Sequence, residues 1–185
     1  MQAIIAMLRG VNVGGHNLIS MEALRALCGS MDLQGAQTYV QSGNVVFRSK
    51  ERNLSALAKR FEDAIEKTSG FRAPLVLRTA AEMRKVIANN PFATRKEIEP
   101  GKLHVIFLTE ELSPEARKQL EAAEAGPEEI KSGSREVYVY YPTGMGKSKL
   151  PPLLDRILKK AGTARNWNSV TALLDMADKL EGSPG

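Results

Sequence analysis

The sequence predicts an α+β protein made of two successive halves, each a small antiparallel sheet backed by helices. Three observations predict it. The apolar patterns run β-α-β-β-α-β and then repeat that order. Each central pair of strand patterns is joined by a short segment rich in Gly and Ser. At 185 residues and 43% hydrophobic, the chain can bury one core or two small ones.

The elements follow in order. Gln2–Leu8 is a short apolar run that ends at Arg9 and Gly10, a buried strand. Ser20 is placed to cap a helix over Met21–Gly29, with Leu24, Leu27 and Cys28 at helical spacing. Gln37–Gln41 and Val45–Arg48 flank Ser42-Gly43-Asn44 and read as a hairpin. Leu54, Leu57, Phe61 and Ile65 mark an amphipathic helix from Asn53 to Thr68, and Phe71–Arg78 is the next strand.

A connecting helix over Ala80–Asn89 leads to the repeat. Lys102–Leu108 is a strongly apolar strand. Ser113-Pro114 opens a helix through Ala123, with Ser as cap and Pro at the first helical position. Glu128–Lys131 and Glu136–Tyr141 pair across Ser132–Arg135. Lys149–Ala161 is a helix with Pro151 and Pro152 in its first turn, followed by a strand at Thr163–Trp167 and a final helix. The expected organisation is residues 1–78 as a first subdomain, 79–182 as a linking helix plus a second subdomain with a C-terminal helix, and 183–185 as a tail. The repeat is one of element order and not of residue identity, so duplication is an expectation and a single mixed sheet is its alternative.

Charged residues make up 25% of the chain, which excludes wholesale disorder. The apolar run Ala3–Leu8 is too short to span a membrane, and no signal-peptide pattern follows it. A cytoplasmic protein with no membrane association is expected. Cys28 is the only cysteine, so no internal disulfide forms, and its place in a helical apolar pattern favours a buried packing role over a reactive thiol.

The net charge is +5, unevenly placed: residues 1–78 hold ten Lys and Arg against six Asp and Glu. A basic first half favours anionic partners, either phosphorylated small molecules or nucleic acid. A solvated surface with ordinary charge scatter is the competing reading, and the lack of any Lys/Arg cluster favours it.

If each half is a ferredoxin-like plait, its first two strands run parallel and the third lies antiparallel between them. The end of the first strand then sits beside the turn joining the second and third. This brings Arg9, Asn12, Gly14, Gly15, His16 and Asn17 next to Gln41, Ser42, Gly43 and Asn44. Arg supplies charge-assisted bonds, amides supply directional ones, and glycines let the backbone approach an anion. The structural alternative is that the glycines supply positive φ and the Asn side chains satisfy loop backbone. In the second half the same argument sets Ser132–Arg135 near the segment carrying Arg165, Asn166 and Trp167, a second contributor of anion-binding groups.

Other motifs fail. Gly144-Met145-Gly146-Lys147-Ser148 resembles the end of a P-loop, but Tyr141 stands where the first Gly belongs. Gly10, Gly14 and Gly15 do not fit the dinucleotide fingerprint. The two central strands lack the aromatics on which RNA-recognition domains stack bases. The chain has two histidines: His104 lies in an apolar strand, and His16 sits in the Gly-rich loop. No Cys/His spacing suggests a metal, no cofactor is implied, and no nucleophile–base pair can be named.

The chain resembles domain-of-unknown-function family 1697. The resemblance rests on Leu8-Arg9-Gly10-Val11-Asn12-Val13-Gly14-Gly15 and Tyr39-Val40-Gln41-Ser42-Gly43-Asn44-Val45-Val46-Phe47, with Asn90-Pro91-Phe92, Ser148-Lys149-Leu150 and Thr163-Ala164-Arg165-Asn166-Trp167-Asn168. It implies a bacterial, cytosolic protein with two ferredoxin-like subdomains and no established activity.

The leading expectation is therefore a binding module for a phosphorylated small molecule or nucleic-acid backbone. The alternatives are an enzyme acting on a phosphorylated metabolite through His16, and a protein–protein adaptor or homodimer joined through sheet edges.

Overall fold

The computed structural model describes residues 1–123 and 126–182; the tail expected at 183–185 lies outside the described residues. The chain is a mixed α+β protein whose residues divide into two compact units. One is Met1–Arg84 together with the C-terminal stretch from Ala172, and the other is Lys85–Thr171.

The first unit contains β1 (Gln2–Leu8), α1 (Met21–Ser30), β2 (Gln34–Tyr39), β3 (Asn44–Ser49), α2 (Leu54–Ser69) and β4 (Leu75–Thr79). Its sheet has the order β2-β3-β1-β4 with every neighbouring pair antiparallel. It follows that β1 and β2 run the same way, with β3 reversed between them. Ile4, Ala6, Leu8, Val45, Phe47, Leu75 and Leu77 present one face to Leu24 and Cys28 of α1 and to Leu57, Phe61 and Ile65 of α2. The last three recur every fourth residue, so they form one stripe on α2. Phe61 meets Phe47 edge-on at 6.0 Å between ring centroids. Each buried side chain of this size contributes roughly 1.5–3 kcal/mol.

Helix ends follow from local chemistry. The Ser20 hydroxyl accepts from the Ala23 amide at 3.0 Å, and Asn53 Oδ1 accepts from the Ala56 amide at 3.0 Å. The helix α3 (Ala80–Ala88) begins with a reciprocal box: the Glu82 amide donates to Thr79 Oγ1 while the Thr79 amide donates to Glu82 Oε2. The last turns of the C-terminal helix α6 (Trp167–Gly182) belong to this unit. There the Ala3 amide donates to Glu181 Oε1 at 3.3 Å, and Arg84 bridges Asp178 and Glu181.

The second unit contains β5 (Leu103–Leu108), α4 (Pro114–Ala123), β6 (Glu129–Ser132), β7 (Glu136–Tyr140), α5 (Leu150–Ile157) and β8 (Gly162–Asn166). Its sheet order is β6-β7-β5-β8, again antiparallel throughout. Leu108, Val137, Val139 and Tyr141 pack with Leu120 of α4 and with Leu150 and Leu154 of α5. The Arg95 guanidinium pins the segment before β5. It bonds both Glu129 oxygens at 2.8 and 2.7 Å and lies 5.8 and 5.5 Å from the Phe92 and Tyr140 ring centroids.

Several element boundaries differ from the sequence expectation, each for a local reason. The strand β2 starts at Gln34 with a register shift between Gln34 and Gln37, where Gly35 has φ +64°. The strand β4 starts at Leu75 and not Phe71, because Pro74 brings no N–H to a ladder. The helix α5 stops at Ile157, and Lys159 and Lys160 adopt φ +53° and +56°. Trp167 opens α6 and does not close β8, because Asn166 Oδ1 accepts from the Ser169 amide at 2.9 Å and starts the helix.

Candidate functional site: a rim of Gly and Asn loops

The expected juxtaposition of two loops in the first unit holds. The antiparallel register pairs Met7 with Asn44, so the end of β1 and the start of β3 lie side by side. The Leu8 amide donates to the Gly43 carbonyl at 2.8 Å. A Cβ added to Gly43 would come within 2.6 Å of Val11 Cγ2 and 2.8 Å of Leu8 Cβ, at φ +78°. Only glycine permits that approach.

Asn12 joins the loops. Its Nδ2 donates to the Gln41 carbonyl at 2.9 Å and to the Ile19 carbonyl at 3.0 Å, while its Oδ1 accepts from the Ile19 amide at 2.9 Å. Asn17 Nδ2 donates to the Gly10 carbonyl at 3.1 Å, and the Asn12 amide donates to the Asn17 carbonyl at 3.1 Å. Both Asn residues sit at positive φ, +55° and +50°, a region Asn tolerates better than most side chains. Asn44 is fully buried, and its Nδ2 donates to the Tyr39 carbonyl and to Ser42 Oγ. The amides that the sequence offered as ligand contacts thus serve the loops themselves.

What the rim presents outward is a different set. Val13 and His16 bridge as the two ends of a tight turn whose central residues, Gly14 and Gly15, have φ +58° and +76°. The turn is exposed, and neither glycine amide has a hydrogen-bond partner among the described residues. His16 and Gln41 are exposed, and Arg9 is half-buried with its own amide donated to the Pro74 carbonyl at 2.8 Å. Residues 9–20 and 34–49 contain no Asp or Glu. Sequence reasoning missed the apolar contribution to this surface: Val13, Leu18 and Val40 are 66%, 66% and 53% exposed. Val40 also holds φ +48°, an outlier for a β-branched residue, which no composition signal announces.

Arg165 and Asn166 belong to the second unit and do not sit where the sequence argument put them. In β8, Gly162 pairs with Leu108, whose amide meets the Arg135 carbonyl, whereas Asn166 pairs with His104 at the far end of β5. The turn 132–135 is therefore beside the start of β8 and not beside these two residues. The Arg165 side chain is 8% exposed, donates to Thr163 Oγ1 and the Ala164 carbonyl at 2.8 Å each, and burial brings its pKa down to about 10. Its counterpart in the first sheet is Arg78, 2% exposed, whose guanidinium donates to the Leu77 carbonyl. Each precedes the residue that caps the following helix.

The remaining sequence candidates are structural. Burial raises the Cys28 thiol to about 12. His104 packs edge-on against Tyr141 at 5.2 Å, and burial lowers its pKa. The amides of Gly144, Lys147 and Ser148 donate to the carbonyls of Tyr141, Gly144 and Met145, so the loop before α5 does not offer the consecutive free N–H groups a P-loop needs. Among the described residues no group of three or more His, Cys, Asp or Glu side chains could hold a metal, and no helix is long and apolar enough to cross a membrane. A cavity of about 690 Å³ lies at the opposite end of the first sheet from the rim, lined by Gln2, Ser49, Lys50, Arg52, Thr79 and Glu82 among others.

Comparison with known proteins gives family and fold. No curated protein matches the chain. The conserved bacterial protein SP0830 from Streptococcus pneumoniae is 21% identical, with 95% of this chain and 98% of that chain covered at a TM-score of 0.79; the two share a fold. The family described as "Protein of unknown function (DUF1697)" matches residues 1–138, and the chain belongs to that family.

Proposed function

We propose that the rim of the first unit is a preformed surface for phosphate groups, carried by a phosphorylated small molecule or a nucleic-acid backbone. The observation that carries this reading is the Asn12–Gln41 bond at 2.9 Å. It fixes the Gly14–Gly15 turn against the β2–β3 turn before any ligand arrives, so little loop ordering is left for binding. Two exposed glycine amides, His16 and Arg9 are the donors, and no carboxylate in these loops opposes an anion. The amides of Asn12, Asn17 and Asn44 act by holding the scaffold, and Arg165 and Asn166 are scaffold residues of the second unit. Each unit has the strand order of a ferredoxin-like plait, and the matching Arg78-Thr79 and Arg165-Asn166 pairs support an origin by duplication.

A test is fluorescence anisotropy of a labelled single-stranded oligonucleotide, with inorganic pyrophosphate as competitor. Arg9→Ala should weaken binding and flatten its salt dependence, and His16→Ala should weaken binding. Competition by pyrophosphate at stoichiometric levels selects the small ligand, and its failure selects the polymer. If both variants bind as the parent does, the rim is not the site. One observation favours a second reading, docking of a protein at the same loops: the exposure of Val13, Leu18 and Val40. Replacing all three by Ser separates the readings, since phosphate binding should survive it. The enzyme reading has only His16 as an acid–base group on this surface and gains no support.

A further inference from the structure

Among the described residues of the second unit, a groove lies open between α4 and α5. A cavity of about 550 Å³ lies between the two helices, and a second of about 580 Å³, lined by α4 residues alone, adjoins it at Gln119 and Ala122. The groove exists because α4 presents Ala122 and Ala123 where longer side chains would fill the space against α5. Opposite them, Leu153 and Ile157 are only partly buried, while Leu150 and Leu154 on the same helix, and Leu158 just past its end, are buried in the core. The floor is thus the partly covered edge of the core stripe.

Charge around this floor is one-sided. Lys118 comes from α4, and Arg156 and Lys159 come from α5 and the turn after it. None of the three has an acidic partner among the described residues. Among the described residues the one lining carboxylate is Glu115, which accepts from Gln119 at 3.4 Å. Lys159 and Lys160 stand in the left-handed region at the end of α5, where glycine is the unstrained choice; the Lys160 amide closes the helix on the Asp155 carbonyl at 2.8 Å. A glycine in place of Lys159 would relieve that strain and remove a cation from the groove wall.

We propose that the α4–α5 groove docks an acidic amphipathic helix of a partner protein. The helix would set its apolar stripe on Ala122, Leu153 and Ile157 and its carboxylates against Lys118, Arg156 and Lys159. An apolar floor with Arg156 and Lys159 on the α5 side, and Lys118 on the adjoining flank of α4, matches such a helix in both respects. The groove lies in the second unit, so this inference stands or falls separately from the rim.

The test uses the full chain and a labelled 16-residue designed helix with Leu at helical spacing flanked by Glu, beside a control with Lys for every Glu. The acidic helix should bind, should shift amides of α4 and α5 in an NMR titration, and should lose about tenfold or more in affinity to the triple variant K118E/R156E/K159E. That variant changes only exposed side chains, and its circular dichroism should match the parent. Gain of binding to the Lys-bearing control by the variant would complete the case. Equal binding of both helices, no binding, or amide shifts away from α4 and α5 would overturn it. So would parent self-association that the triple variant abolishes, or binding to anionic vesicles without binding to the acidic helix.

Discussion

The side-chain amide of Asn12 donates to the main-chain carbonyl of Gln41 at 2.9 Å, across 29 residues of sequence. That bond makes one surface out of two loops. It also changes the meaning of the Asn-rich composition: the polar groups that suggest a ligand site are the ones that assemble it.

Replacing Asn12 with Ala removes both donations and the acceptance from Ile19, and leaves Ala at a left-handed φ. Stability should fall by roughly 2–4 kcal/mol, read by urea unfolding. An Asn12→Asp variant keeps the acceptor for Ile19 but sets a carboxylate oxygen against the Gln41 and Ile19 carbonyls, and should lose at least as much. Equal stability of Asn12→Ala and the parent would contradict the described geometry.

Gly43 and Gly15 both have positive φ, +78° and +76°, but only Gly43 is crowded. Gly15→Ala meets nothing within 4 Å and should cost about 1 kcal/mol from backbone strain alone. Gly43→Ala must also push back Val11 and Leu8 and should cost roughly 2–4 kcal/mol. Thermal unfolding of the two variants side by side measures the difference.

Burial holds the Cys28 thiol at about 12, so it stays protonated at neutral pH. A thiol reagent at pH 8 should label the unfolded protein and leave the native protein unlabelled. Cys28→Ser buries a hydroxyl at this fully enclosed position and should destabilise by roughly 1–3 kcal/mol. Fast native labelling would contradict the packing described for α1.

His104 gives the second unit a pH dependence. Its Nδ1 is buried without a partner, and burial lowers its pKa below the ordinary value of 6.5. Above that value both folded and unfolded forms are neutral and stability is at its full level. As pH falls from the unfolded value through the lowered folded one, the unfolded chain takes up the proton first and stability is lost. Unfolding measured from pH 7.5 to 5 should therefore show a decline, and His104→Gln should flatten it. An unchanged slope in the variant would assign the decline to other groups.

Much of the fold is legible in the sequence because periodicity and caps agree. Leu57, Phe61 and Ile65 mark α2, and Ser20 and Asn53 cap the helices they precede. Boundaries set by backbone geometry are not legible: the Gly35 bulge moves the start of β2, and the Asn166 cap turns Trp167 from strand to helix. At the rim, chain direction alone foretells that the loop carrying Asn12 and the turn carrying Gly43 meet. It does not foretell that Asn12, Asn17 and Asn44 spend their amides internally, since an Asn side chain suits ligand and loop backbone equally well. Nor does composition separate Arg9 from Arg78 and Arg165, because only register and burial reveal that the latter two lie inside their sheets.

The proposed function rests on the Gly14–Gly15 turn and Arg9 acting as a ready-made phosphate surface. The most direct measurement is a nitrogen-15 NMR titration of the whole chain with pyrophosphate and, separately, with a single-stranded oligonucleotide. Saturable shifts should concentrate at the amides of Gly14, Gly15 and His16 and vanish in Arg9→Ala. Shifts confined to the cavity at the other end of the sheet, or none up to millimolar ligand, would contradict it.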